Sequence, residues 1–219
     1  MNDREKEVVE QTVDFVRREL SGAESGHDWW HVFRVWKLAE RIAREENADL
    51  FIVSLGALLH DIADAKFHDG DETIGPRMAE TFLHAQHLPE NIIAGVLNIV
   101  RFVSFKNRKE RPAFPSIELQ IVQDADRLDA MGALGIARAF SYGGFKGREM
   151  YNPDIAPDPG MSKAEYKQSK STTINHFYEK LLLLKDMMNT DTGKKMAGQR
   201  HRFMEKFLRQ FYSEWEGKR

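Results

Sequence analysis

Leu50-Phe51-Ile52-Val53-Ser54-Leu55-Gly56-Ala57-Leu58-Leu59 runs directly into His60-Asp61. An apolar stretch of this length reads as a buried helix, covering roughly Leu50 to Ala63, that delivers an imidazole and a carboxylate to the edge of a core. A carboxylate in that position must be paired, hydrogen-bonded or bound to a cation, because leaving it alone in a low dielectric costs several kcal/mol. The rest of the chain has to supply the compensation.

Working outward, every periodic segment is helical. Val9, Val13, Val16 and Leu20 recur at helix spacing, and Ser21-Gly22 ends that first helix. Asp28 can cap a second, whose stripe of His31, Val35, Leu38 and Ile42 puts His31 on the buried face, with Lys37, Glu40, Arg41 and Arg44 mostly outside. A fourth helix follows Thr73, and a fifth begins at Pro89-Glu90, where proline suits the first turn. Lys106 to Pro115 reads as a basic loop, and one helix is expected from Ser116 through about Phe140. Tyr142 to Gly160, rich in glycine and proline, has the length and composition of a functional flap. Ser162 with Glu165 makes a capping box. Two helices close the chain, one holding Ile174, Phe177, Leu181, Leu184 and Met188, the other Phe203, Phe207 and Phe211, with Asn189 to Gly193 between them. No strand alternation and no internal repeat is visible, so the expectation is a single all-α domain over residues 1–219, with room for a small helical subdomain after the flap.

Composition narrows the function. A chain of 219 residues, 42% hydrophobic, can bury a substantial core. Its 32 basic and 34 acidic residues nearly balance, so no global field recommends polymeric nucleic acid or a membrane surface as partner, and anion binding must be local. Without cysteine there is no disulfide framework, thiolate zinc site or thiol nucleophile. Met1 to Glu7 is charged rather than signal-like, and the longest apolar stretch is about half a membrane span, which together predict a cytoplasmic protein.

Three elements can converge on His60-Asp61: His31 from the second helix, and Asp124 or Asp126 from the helix starting at Ser116. Periodicity leaves those two aspartates equivalent, since Asp126 shares a stripe with Leu119, Val122 and Ala130, and Asp124 one with Ile117, Ile121 and Leu128. Two imidazoles with two carboxylates suit manganese, iron, cobalt or nickel, and magnesium less well. His27, His68, His84 and His87 have no comparable support, and Trp29, Trp30, Phe105 and Tyr151 read as core aromatics rather than base-stacking groups.

His31, the pair His60-Asp61, and Ala125-Asp126-Arg127-Leu128 stand in the order found in the HD-domain superfamily of metal-dependent phosphohydrolases, which the chain resembles over residues 27 to about 130. The resemblance implies a helical HD-type fold with its metal core at about 27–130, a flap at 142–160 and C-terminal helices at 163–216. It selects Asp126 as the fourth metal ligand beside His31, His60 and Asp61, and leaves Asp124 to orient a histidine. Gly26-His27-Asp28-Trp29-Trp30-His31, Val103-Ser104-Phe105-Lys106 and Asn175-His176-Phe177-Tyr178-Glu179-Lys180 are similar to the bacterial YpgQ-like and YedJ-like single-domain branch, some of whose members are described as manganese-dependent nucleoside triphosphate pyrophosphohydrolases.

A water on such an ion becomes nucleophilic near neutral pH while the ion polarises a phosphoryl oxygen. Asp64, four residues after His60, would lie one turn onward and is the candidate proton acceptor, at an offset where related enzymes hold an acid. Lys106, His176 and Lys180 are the candidate phosphate-binding residues, the latter two one helical turn apart. The expected reaction is hydrolysis of a nucleoside or deoxynucleoside triphosphate with release of pyrophosphate. The alternatives are a nucleotidase or phosphodiesterase, or a nucleotide-binding module without turnover. The glycine that follows the pair in cyclic-dinucleotide hydrolases is absent, Ile62-Ala63-Asp64 standing there instead.

Overall fold

The computed structural model describes residues 1–21, 28–62, 71, 73–103, 116–160 and 171–218. Among them there is no β-strand, and the elements are α1 (Asp3–Glu19), α2 (Trp29–Glu45), α3 (Leu50–Leu59), α4 (Ile74–Ala85), α5 (Glu90–Phe102), α6 (Ile117–Asp129), α7 (Gly132–Phe145), α8 (Thr173–Glu179), a 3-10 helix (Leu181–Met187) and α9 (Asp191–Trp215). The chain divides into two compact units, Met1–Asp126 and Arg127–Arg219, so the boundary falls inside α6.

In the first unit α3 is the central element. It packs against α1, α2 and α5, and all but its first and third residues are buried. Asp49 starts it, accepting hydrogen bonds from Phe51 N and Ile52 N at 2.9 and 3.1 Å, which satisfies two of the donors a helix N-terminus leaves open. α2 starts in the same way, Asp28 accepting from His31 N at 2.9 Å. The core joins Val8, Val9 and Val16 of α1 to Leu55, Leu58 and Leu59 of α3 and to Ile93, Val96 and Val100 of α5. Gly56 sits where α3 and α5 come closest: a Cβ there would lie 2.5 Å from Ile99 Cδ1. Glu40 departs from its expected outer position. It is buried, accepts from Ser54 Oγ at 3.5 Å and meets Lys37 and Arg44.

The regular part of α3 stops at Leu59, and His60, Asp61 and Ile62 form a turn rather than further helix; Ala63 lies outside the described residues, as do Gly22, the Lys106–Pro115 loop and the Ser162–Glu165 box. α6 is fixed on the first unit by Glu118, whose side chain accepts from Asp49 N at 3.3 Å, and by Gln123, which donates to the Phe102 carbonyl at 2.9 Å.

The second unit corrects three expectations. The helix expected from Ser116 to Phe140 is two helices, because Met131 is extended and Gly132 takes a φ of +72°, a left-handed conformation that favours glycine. Gly135 then packs directly on the preceding turn, where a Cβ would stand 2.3 Å from the Ala130 carbonyl oxygen. α7 consequently continues to Phe145, so the irregular segment begins later than Tyr142. The helix expected across Ile174–Met188 is broken at Lys180, with φ −144° and ψ −57°, and resumes as 3-10 helix. In α9, capped by Thr190, Met204 and Leu208 are buried while Phe203 is exposed. Within this unit, arginines tie the end of α6 to later elements. Arg138 pairs with the fully buried Asp129, Arg200 donates to the Leu128 carbonyl, and Arg127 donates to the Met187 carbonyl at 2.7 Å.

The irregular segment is tethered to α8. Thr173 N and Ile174 N donate to the carbonyls of Glu149 and Met150, both at 3.0 Å, and Asn175 Nδ2 donates to the Ile155 carbonyl at 2.8 Å. Tyr151 is ringed edge-on by Phe211, Tyr212 and Trp215 of α9, with centroids 5.0 to 5.9 Å away. Burial, followed by a hydrogen bond with Tyr178, holds the Tyr212 phenol well above the ordinary tyrosine range.

Candidate metal centre

Three helices of the first unit bring their ends together. α2 supplies His31 from its first turn, α3 supplies His60 as its C-cap, and α6 supplies Asp126 from its last turn. One ligating atom from each of these residues falls within 4.8 Å of the other two. His31 Nε2 lies 3.5 Å from Asp126 Oδ1 and 3.9 Å from Asp61 Oδ2. Atoms about 2.1 Å from one ion stand about 3 to 4.2 Å apart, so these spacings suit side chains facing a common point.

The tautomer of His60 sharpens this reading. Its Nδ1 is 2.7 Å from the Ala57 carbonyl, which can only accept, so Nδ1 carries the proton. Nε2 is thereby left with its lone pair, and that atom is buried without a hydrogen-bond partner among the described residues. A buried lone pair on a residue grouped with a histidine and a carboxylate is an arrangement that a cation would satisfy. The two rings meet at 65° with centroids 5.3 Å apart, too tilted for stacking and well suited to aiming two nitrogens at one place. The donor set of imidazole nitrogens and carboxylate oxygen fits a divalent first-row metal.

Of the residues expected from sequence, the structure brings His31, His60 and Asp126 into one cluster, with Asp61 beside His31 but outside the three-residue grouping. Asp124, two residues before Asp126 on the same helix, is fully buried. Asp64 and Lys106 lie outside the described residues, as do His27 and His68. His84 and His87 are exposed.

His176 and Lys180 belong to the second unit. Lys180 closes α8, its N–H donating to the His176 carbonyl at 3.1 Å, so the two keep their one-turn relation although the helix ends between them. Burial, then the charges of Lys180 and Arg148, lowers the His176 imidazole to about 3, and it is neutral at pH 7. No helix among the described residues is long and apolar enough to cross a membrane.

Known proteins place this arrangement. The family model "HD domain" matches residues 29–131, the interval that contains all three clustered residues. YpgQ of Bacillus subtilis strain 168 is 41% identical over 217 residues, covering 98% of this chain and 97% of YpgQ. The crystal structure of an HD-superfamily hydrolase from Bacillus thuringiensis superposes with a TM-score of 0.79 at 42% identity, covering 97% of this chain and 98% of that one. A crystal structure of B. subtilis YpgQ in complex with ADP superposes with a TM-score of 0.73 at 37% identity, covering 96% of each chain. With its histidine–aspartate centre and this likeness over nearly its whole length, the chain belongs to the HD superfamily of metal-dependent phosphohydrolases.

Proposed function

We propose that this protein hydrolyses nucleoside or deoxynucleoside triphosphates at the α-phosphorus, releasing pyrophosphate, with manganese as the resident ion. The observation that carries the metal-dependent reading is the grouping of His31, His60 and Asp126, in which the buried His60 Nε2 has no hydrogen-bond partner among the described residues. The ADP bound to YpgQ supports a nucleotide as the substrate class. Asp61 is the proposed fourth ligand, its carboxylate already 3.9 Å from His31 Nε2. A divalent ion there would lower the pKa of a bound water and polarise a phosphoryl oxygen.

The chain's own residues do the rest. The Ala57 carbonyl holds His60 in the tautomer that presents Nε2. Asp64 accepts the proton of the attacking water. Lys106 and Lys180 neutralise the polyphosphate, and the uncharged His176 imidazole donates a single hydrogen bond to it. In the hydrolytic step a water oxygen bonds to the α-phosphorus as the bond to the bridging oxygen breaks, and pyrophosphate leaves with that oxygen.

The test is phosphorus NMR after incubation with a panel of nucleotides and manganese, on protein whose metal content has been measured. Pyrophosphate with the corresponding monophosphate supports the proposal. Orthophosphate from a monophosphate would replace it with a nucleotidase, and unchanged nucleotide at high occupancy with a binding module. Loss of turnover in Asp61→Ala ties the activity to this centre.

A further inference from the structure

Residues 149–158 have no helix of their own, yet they hold α8 at both ends. Thr173 and Ile174, its first two residues, donate their N–H groups to the Glu149 and Met150 carbonyls at 3.0 Å, partners that a helix cannot supply to its own first turn. The Asn175 side chain donates to the Ile155 carbonyl at 2.8 Å, and Glu179 at the far end accepts from Asp158 N at 3.4 Å. A helix of seven residues is too short to be stable by itself, so the placing of α8 depends on its ties. One set of ties is independent of this strap. Ile174 and Phe177 are fully buried, and the Phe177 ring stacks on Phe207 of α9 with centroids 5.9 Å apart.

The strap in turn needs an anchor. From Glu149 to Gly160 every residue is exposed except Tyr151, Asn152 and Ile155, which are half-buried. Tyr151 is the one that reaches the aromatic end of α9, where its ring meets Phe211, Tyr212 and Trp215 at 87°, 73° and 84°. Edge-on pairs favour a defined angle between ring planes, so three of them on one ring fix its orientation as well as its position. Tyr212 is also hydrogen-bonded to Tyr178 of α8. The circuit is therefore closed: strap to α9 through Tyr151, α9 to α8 through Tyr212 and Tyr178, and α8 back to the strap through its hydrogen bonds.

We propose that Tyr151 latches residues 149–158 onto α8 and thereby fixes where that helix holds His176 and Lys180. Tyr151 is a positioning residue, acting through the strap rather than by touching substrate. This rests on the reading of His176 and Lys180 as phosphate-binding residues and deepens it. All of these groups belong to the second unit.

The test is hydrogen exchange resolved by residue with NMR on the full chain. The Thr173 and Ile174 amides are protected by the strap, whereas the Lys180 amide, bonded to the His176 carbonyl, is protected by α8 itself. Tyr151→Ala should speed exchange about tenfold or more at Thr173 and Ile174 and by less than about threefold at Lys180, because the buried Ile174 and Phe177 keep α8 in place. It should also raise KM for a nucleoside triphosphate about fivefold, with kcat changed by less than about threefold. Tyr151→Phe, which keeps the ring contacts, should restore both readouts. Unchanged exchange at Thr173 and Ile174 in Tyr151→Ala overturns the proposal, as does faster exchange there with an unchanged KM. Equal acceleration throughout α8 and α9 together with a lowered melting temperature also overturns it, making Tyr151 a part of the general core. If exchange responds as expected and no nucleotide yields pyrophosphate, the triphosphatase reading fails and the latch stands.

Discussion

At the scale of single residues, the most consequential atom is His60 Nε2. Its neighbour Nδ1 is committed to the Ala57 carbonyl, and among the described residues Nε2 has no hydrogen-bond partner. Removing the ring should remove the metal. His60→Ala is expected to lose more than tenfold in manganese affinity, read by calorimetry, and to lose hydrolysis with it; retention of both would sink the metal centre. The two aspartates of α6 show where pattern reading ends. Asp124 and Asp126 each lie on an apolar stripe, and the structure separates them by surroundings alone: Asp124 is 0% exposed, whereas the Asp126 side chain is 35% exposed and turned to His31. Burial depth is a tertiary property that spacing does not encode. His176 offers a prediction in pH. Its midpoint falls from the ordinary 6.5 to about 3 in the folded chain, so between those values the unfolded chain takes up a proton that the folded chain refuses. Stability is therefore whole above pH 6.5 and falls as pH drops towards 3, by at most about 1.4 kcal/mol per pH unit from this residue. Urea unfolding at pH 7 and pH 5 should show a smaller acid loss in His176→Asn than in wild type, by about 1 to 2 kcal/mol. Equal losses would contradict the assignment.

Among the elements, α3 couples packing to the site, because its buried body ends on His60. The absence of a side chain at Gly56 lets α5 approach, and the fully buried Ile99 fills that space. Gly56→Ala should therefore destabilise by about 1 to 3 kcal/mol through overpacking, despite alanine's better helix propensity. Ile99→Val removes the Cδ1 atom that a new methyl would strike, so the double variant should lose clearly less than the sum of the single losses in urea unfolding. Additive losses would mean that the two helices do not meet as described. Much of this level was legible: the cap at Asp28, the helical period and the apolar α3 all follow from residue type and spacing. The breaks were not. Ala130-Met131 continues the apolar character of α6, and only the positive φ at Gly132 shows that the chain turns there. Lys180 likewise lies within a run of leucines and aromatics whose spacing suits one helix, yet its backbone leaves the helical region. Backbone dihedrals set by tertiary packing left no trace in hydrophobic order at either point.

For the whole molecule, the division after Asp126 makes a prediction about how a metal stabilises it. The three clustered residues, and Asp61 beside them, all lie in the first unit, whose core runs through α1, α3, α4 and α5. A ligand that binds only the folded form stabilises by RT ln(1 + [L]/Kd), about 2.7 kcal/mol at a hundredfold excess over Kd. That free energy is delivered where the ligands are. Manganese at such a concentration should slow amide exchange most in peptides from α2, from the end of α3 and from the last turns of α6, by up to about a hundredfold where opening exposes the site. Peptides from α7 and α9 should change far less, since the second unit has its own ties through Asp129–Arg138 and Arg200–Leu128. Hydrogen exchange followed by mass spectrometry, with His60→Ala as the control, resolves the two groups of peptides. Uniform protection across the chain would mean that the units open as one, and protection confined to α7–α9 would move the metal away from His31, His60 and Asp126.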